Sequence, residues 1–284
     1  MSFKENNVRV DKAWDRLYTR LENDGLLAEQ PPKMRRMFHL SPFVKWTGAV
    51  AAIVCVVIGI WLFLPSTTHT IPMLILHNNE NAVTLVTTLN DGSLVYLADN
   101  TSLQYPKEFA GETREVYLQG EAYFDVAANK ARPFIIDTEI AKIEVVGTAF
   151  DVKSRYNGAF SLSVKQGEVI VMLKNNQKAT YVKAGETVLA NMDGNDLQLM
   201  QSNDLFNSYK EQIRFKDEYL KNIVNAINKE SDSIRIELAP DLFNKQLTIT
   251  FSDESPESMV KIISLALKLQ YSKQGNTIYI SSAS

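Results

Sequence analysis

Side chains able to do chemistry are sparse in this chain of 284 residues. The histidines are His39, His69 and His77, and neither their spacing nor a neighbouring acid cluster fits a metal-ligand pattern. Cys55, the sole cysteine, lies inside an apolar run, so the rest of the chain has no thiol nucleophile, disulfide or cysteine metal site. Asp253 and Glu254 sit at the start of an expected helix, where the macrodipole accounts for them. Glu121, Glu168 and Glu186 each follow a glycine between apolar-alternating runs. They read as hairpin corners, in which glycine permits the bend and the acid accepts from turn amides. The chain has no phosphate-cradling glycine loop, nucleophile elbow or HExxH motif. Neither an enzyme nor a cofactor or metal is expected.

Recognition is a better prospect than catalysis. In VRVDKAWDRLYTRLENDG, Val10, Trp14, Leu17 and Leu21 share one helical face, and Lys12, Asp15, Arg16, Thr19 and Arg20 cover the other. Asn7 or Asp11 is expected to cap the start and Gly25 to end the helix. A helix of about seventeen residues is marginal alone in water, so its apolar stripe needs a surface to cover it. Two surfaces fit: an anionic membrane, met by the basic side chains, or a groove on a protein partner with Trp14 as the anchor.

The elements that would position this helix follow from the run Trp46–Leu64, nineteen residues without a charge. That length matches a hydrocarbon core about 30 Å thick, and no face of the helix is polar. It is too far from the N-terminus and too long for a cleaved signal, and no A-x-A site follows it. Lys33, Arg35, Arg36 and Lys45 precede it, whereas no Lys or Arg occurs from Pro65 to Pro106. Positive flanks stay in the cytoplasm, so the expected topology is single-pass, with residues 1–44 inside and the body beyond residue 64 exported. Lys plus Arg total 30 against Asp plus Glu 33, a net charge of −3 that leaves no footprint for nucleic acid.

Beyond the membrane segment (45–64), residues 65–81 read as a periplasmic linker with one short strand at Met73–Leu76. Residues 82–205 alternate in short runs (TLVTTL, SLVYLA, REVYLQ, PFIID, EVIVML) broken by turn pairs, the signature of an all-β domain. The Gly-Glu units suggest stacked hairpins or an irregular solenoid without a fixed period. Residues 206–284 change rhythm. Leu220, Ile223, Val224 and Ile227 share one helical face within Lys216–Ser231. Met259, Ile262, Ile263 and Ala266 share another, opened by Ser255 as cap and Pro256 as first helical residue. With the intervening strands the order is β-α-β-β-α-β-β, a small α+β domain.

The ordered motifs DGSLVYLADNTSLQYP, REVYLQGEAYFDV, RPFIID, VVGTAFDV and LSVKQGEV, within Thr87–Asn191, resemble the FecR family of anti-sigma regulators. The tail from RFKDEYLKNIVNAINKES to YSKQGNTIYI is similar to the C-terminal module of its Bacteroidetes branch, itself similar to the short signalling domain of secretins and TonB-dependent receptors. The resemblance implies a relay in the bacterial inner membrane. The N-terminal signalling domain of an outer-membrane TonB-dependent transporter, loaded with an iron chelate or glycan, touches the periplasmic body. The cytosolic head then controls an extracytoplasmic-function (ECF) sigma factor, with Val10, Trp14, Leu17 and Leu21 as the sigma contacts. Many relatives carry a longer, multi-helix cytosolic head than the single helix found here. Some also cleave themselves at a Gly-Thr bond, which would make Thr148 a nucleophile on the Gly147 carbonyl. The plainer reading, which we prefer, is that Gly147 permits a tight turn and Thr148 starts the next strand. A periplasmic ligand receptor and a passive envelope scaffold are the rival functions.

Overall fold

The computed structural model describes residues 4–24, 71–154, 160–190, 196–201 and 209–283. The chain divides into two compact units, Met1–Thr68 and His69–Ser284. In the first, helix α1 spans Lys4–Asn23. Asn7 and Asp11, expected as caps, both lie inside it, because the helix begins a turn earlier than its apolar stripe. Gly25 and the Trp46–Leu64 run lie outside the described residues. Among the described residues no helix is long and apolar enough to cross a membrane.

The second unit is built on two layered β-sheets that share one bent strand. The first sheet runs β1 (Met73–Asn78), β4 (Thr101–Pro106), the first half of β5 (Arg114–Asp125), β6 (Phe134–Asp137), β7 (Ala141–Val145), β10 (Glu168–Leu173) and β11 (Ala179–Lys183). The second runs β13 (Leu197–Gln201), β12 (Glu186–Ala190), β9 (Phe160–Gln166), β8 (Ala149–Ser154), the second half of β5, β3 (Leu94–Leu97) and β2 (Thr84–Thr88). The core lies between them, with Phe124 stacked on Phe150 at 5.6 Å and Phe134 tilted against Phe124.

This is a sandwich whose strands turn corners, in place of the expected hairpin stack or solenoid. The Gly-Glu units explain the difference. At Gly120 strand β5 leaves the first sheet for the second. Gly167 separates β9 in the second sheet from β10 in the first, and Gly185 separates β11 in the first from β12 in the second. Each marks a crossing between sheets, where a strand must bend sharply to serve both layers. At Gly120 a Cβ would lie 2.8 Å from the Thr101 Cα, so close backbone approach requires glycine there. The acid behaves as expected at one corner, where Glu186 accepts from the Lys183 amide at 2.8 Å.

The α+β module continues the second sheet. Strand β14 (Ile213–Tyr219) pairs in parallel with β2, and β16 (Gln246–Phe251) pairs with β14. Helices α2 (Leu220–Glu230) and α3 (Pro256–Leu267) pack in a second core with the sheet β15 (Arg235–Leu238), β18 (Thr277–Ser282), β17 (Leu269–Gln274). The order β-α-β-β-α-β-β is as read from the sequence, with a short 3-10 turn at Pro240–Leu242. Ser255 caps α3, its hydroxyl accepting from the Ser258 amide at 3.3 Å. Two details differ. Lys216–Tyr219 is strand, because a bulge between Phe215 and Glu218 lets β14 run on. Helix α3 buries Val260, Ile263 and Ser264 and leaves Ile262 exposed.

Candidate functional site

Three places merit a functional reading: the stripe on α1, the Gly147-Thr148 corner, and the seam between the β-sandwich and the α+β module. On α1, Trp14 is 57% and Leu17 49% exposed, and Leu21 is half-buried. The side chain of Val10 lies outside the described residues. The opposite face carries Asp15, Arg16 and Arg20, and the Thr19 hydroxyl donates back to the Asp15 carbonyl at 2.7 Å. Two large apolar side chains standing in water on one helical face cost free energy that a complementary surface would recover.

Gly147 and Thr148 join β7 in the first sheet to β8 in the second, a fourth crossing. A Cβ on Gly147 would lie 2.7 Å from the Ala128 Cα. The Val146 carbonyl accepts from the Asn129 amide at 2.7 Å, and the Thr148 carbonyl from the Val126 amide at 2.9 Å. The corner is thus pinned on both sides. Thr148 is buried, and among the described residues its hydroxyl has no hydrogen-bond partner.

The seam holds residues that pattern reading missed. Asp151, on β8, is 1% exposed and accepts a hydrogen bond from the Tyr209 hydroxyl. Burial raises its carboxyl to about 6, against the opposing pull of that bond and of Lys153. Glu218 accepts from the Thr87 hydroxyl at 3.4 Å and the Thr88 amide at 3.3 Å, tying β14 to β2. Its other oxygen takes the Tyr219 amide at 3.1 Å and the Asn222 side chain at 2.7 Å. Lys229 pairs with Asp125 at 2.8 Å, and the Tyr96 hydroxyl donates to Glu230. Burial, then the nearby Glu230 and Asp125 charges, pushes the Tyr96 hydroxyl well above its usual range. None of these residues stands out in the sequence, since each acquires its role from a partner far along the chain.

His77 is exposed on β1, and His39 and His69 lie outside the described residues. Among the described residues no group of three His, Cys, Asp or Glu side chains could hold a metal.

The second unit is thus a double-sheet body with glycine corners and an α+β module that extends one of its sheets. Residues 80–170 match the family model described as FecR protein, which bears out the motif resemblance over that segment. No curated protein matches the chain. Two crystal structures of a candidate anti-sigma factor from Parabacteroides distasonis ATCC 8503, at 2.50 and 1.65 Å resolution, are similar to it at 22% identity. They cover 75% and 74% of this chain and all of their own, with TM-scores of 0.47 and 0.46.

Proposed function

We propose that this protein is a sigma-factor regulator of the bacterial inner membrane, single-pass, with residues 1–44 cytoplasmic and the body beyond residue 64 periplasmic. The observation that carries the reading is the order of parts along one chain. A helix with exposed Trp14 and Leu17 comes first, an uncharged run with a basic N-terminal flank follows, and a FecR domain comes after it. In this reading the periplasmic signalling domain of an outer-membrane TonB-dependent transporter contacts the body. The apolar stripe of α1 then holds or releases an ECF sigma factor, and transcription of iron- or glycan-uptake genes responds.

The test uses the full chain in its own cell. Trp14→Ala with Leu17→Ala removes exposed apolar area and leaves the FecR domain untouched. The expected result is loss of sigma-factor co-purification, identified by mass spectrometry, together with altered transcription of a nutrient-uptake operon. Unchanged transcription in this variant and in a chain lacking residues 1–24 would sink the reading. Labelling that finds residue 284 in the cytosol would do so independently.

A further inference from the structure

Strand β1 is the outer strand of the first sheet and pairs with β4 alone among the described residues. The Lys107 amide donates to the Pro72 carbonyl at 2.9 Å. Antiparallel alternation from that bond turns the amides of Met73, Ile75 and His77 away from β4, toward the open edge. Met73, Leu74 and Ile75 are 45, 40 and 69% exposed. No Lys, Pro or bulge interrupts MLILHN, although such devices are what normally keep an apolar edge from pairing.

Beside this edge lies a cleft of about 690 Å³ between β1 and the α+β module. Leu74, Leu76 and Tyr105 supply an apolar lining, and Lys107, Lys216 and Lys221 add positive charge. The carboxylates of the same stretch are committed elsewhere. Glu218 serves the four donors of the seam, and Asp217 accepts from the Thr248 hydroxyl at 2.9 Å. Lys107 and Lys216 make no ion pair among the described residues, in a chain whose net charge is −3.

We propose that β1 receives an extended polypeptide segment as an added strand, and that this segment carries carboxylates among aliphatic side chains. Main-chain bonds to the open amides supply affinity, the apolar lining takes the aliphatic groups, and the lysines select acidic over basic partners. The inference does not rest on the sigma reading, because it concerns binding by the purified protein and not transcription.

The experiment measures fluorescence anisotropy of a synthetic peptide of alternating valine and glutamate, matched to the six residues of β1, with the detergent-solubilised full chain. A peptide with lysine for glutamate is the control. The acidic peptide is expected to bind and the basic one not, with affinity falling as salt rises. Ile75→Pro removes one outward amide at an edge position that tolerates proline, and is expected to weaken binding about tenfold with an unchanged melting temperature. Lys216→Glu is expected to weaken it similarly and decides the matter if Ile75→Pro unfolds the protein. Equal binding of both peptides overturns the proposal, as does full affinity in folded Ile75→Pro and Lys216→Glu. A dimer in sedimentation that Ile75→Pro dissolves, without peptide binding, assigns the edge to a second copy of the chain and also overturns it.

Discussion

The Arg114 guanidinium donates to the Asp91 carboxylate at 2.6 Å, joining the first residue of β5 to the turn between β2 and β3. The Arg114 side chain is 2% exposed and that of Asp91 12%. The same guanidinium donates to the carbonyls of Arg132 and Ala127 and lies over the Phe134 ring. Asp91 also receives the Ser93 amide and hydroxyl, and the Ser93 oxygen accepts from the Ala127 amide. One buried cation thereby fastens the β2–β3 turn and the β5–β6 connection to the start of β5. Breaking one half of a buried pair leaves an uncompensated charge, so Arg114→Met is expected to cost about 3–5 kcal/mol. Asp91→Asn keeps an acceptor and is expected to cost about 2 kcal/mol. Denaturant unfolding of both variants and of the double variant checks this: the double variant should lose clearly less than the sum, because the two residues share one network.

Gly120 makes a sharper structural prediction. Its φ is +113°, and a Cβ would lie 2.5 Å from the Thr101 hydroxyl oxygen and 2.8 Å from the Thr101 Cα. Gly185, at another sheet crossing, has φ +84° but open space around it. Gly185→Ala therefore meets only backbone strain, about 1 kcal/mol, whereas Gly120→Ala adds collision with backbone and is expected to cost about 3 kcal/mol or more. Comparing the two in thermal unfolding separates the conformational cost from the close approach. Equal losses would mean that β5 shifts freely at the bend.

Asp151 predicts a pH dependence. Its native carboxyl, raised to about 6 by burial, titrates above the unfolded value of about 3.9. The folded state therefore binds the proton more tightly. The associated stability is fully present below about pH 4 and is lost as pH rises through about 6. Asp151→Asn still offers an oxygen to the Tyr209 hydroxyl and cannot ionise. Relative to the parent chain, its unfolding free energy is expected to rise by about 2 kcal/mol between pH 4 and pH 8. Urea unfolding at a series of pH values measures that difference, and a flat difference would show that Asp151 does not titrate in this range.

Local chemistry explains which features were legible from sequence. The Ser255-Pro256 start of α3, the Asp91-Gly92 turn and the stripe of Trp14 and Leu17 depend on neighbours within a few residues, and each reads as it stands. The Gly-Glu units read as corners but not as sheet crossings, because the partners that define a crossing are distant, as with Gly120 and Ser154. Lys216–Tyr219 reads as helix because its extension of β14 depends on Thr248, whose hydroxyl takes the Asp217 amide from 31 residues away. Strand β3 shows the same limit. Leu94, Val95, Tyr96 and Leu97 are all buried because the sandwich core lies on one face and the α+β module on the other. Asp151 and Tyr209 were invisible for this reason: a lone acid and a lone tyrosine become a buried pair only once the module docks.

The Gly147-Thr148 corner decides between a turn and a nucleophile. Self-cleavage would have the Thr148 hydroxyl add to the Gly147 carbonyl, break the C–N bond to give an ester, and then admit water to hydrolyse it. Thr148 is 4% exposed, and both flanking carbonyls, of Val146 and Thr148, are held by amides of the strand-end segment that includes Val126 and Asn129. A pinned corner resists the rearrangement, and its burial keeps water away from any ester formed there. The unpartnered hydroxyl is instead a cost to folding. The purified protein is therefore expected to run as one intact species in mass spectrometry, and Thr148→Ala to leave that mass pattern unchanged. Thr148→Val, which keeps the shape and removes the orphan oxygen, is expected to stabilise the fold by about 1 kcal/mol. Two fragments divided between Gly147 and Thr148, absent in Thr148→Ala, would establish the nucleophile and show that the corner opens far enough for attack.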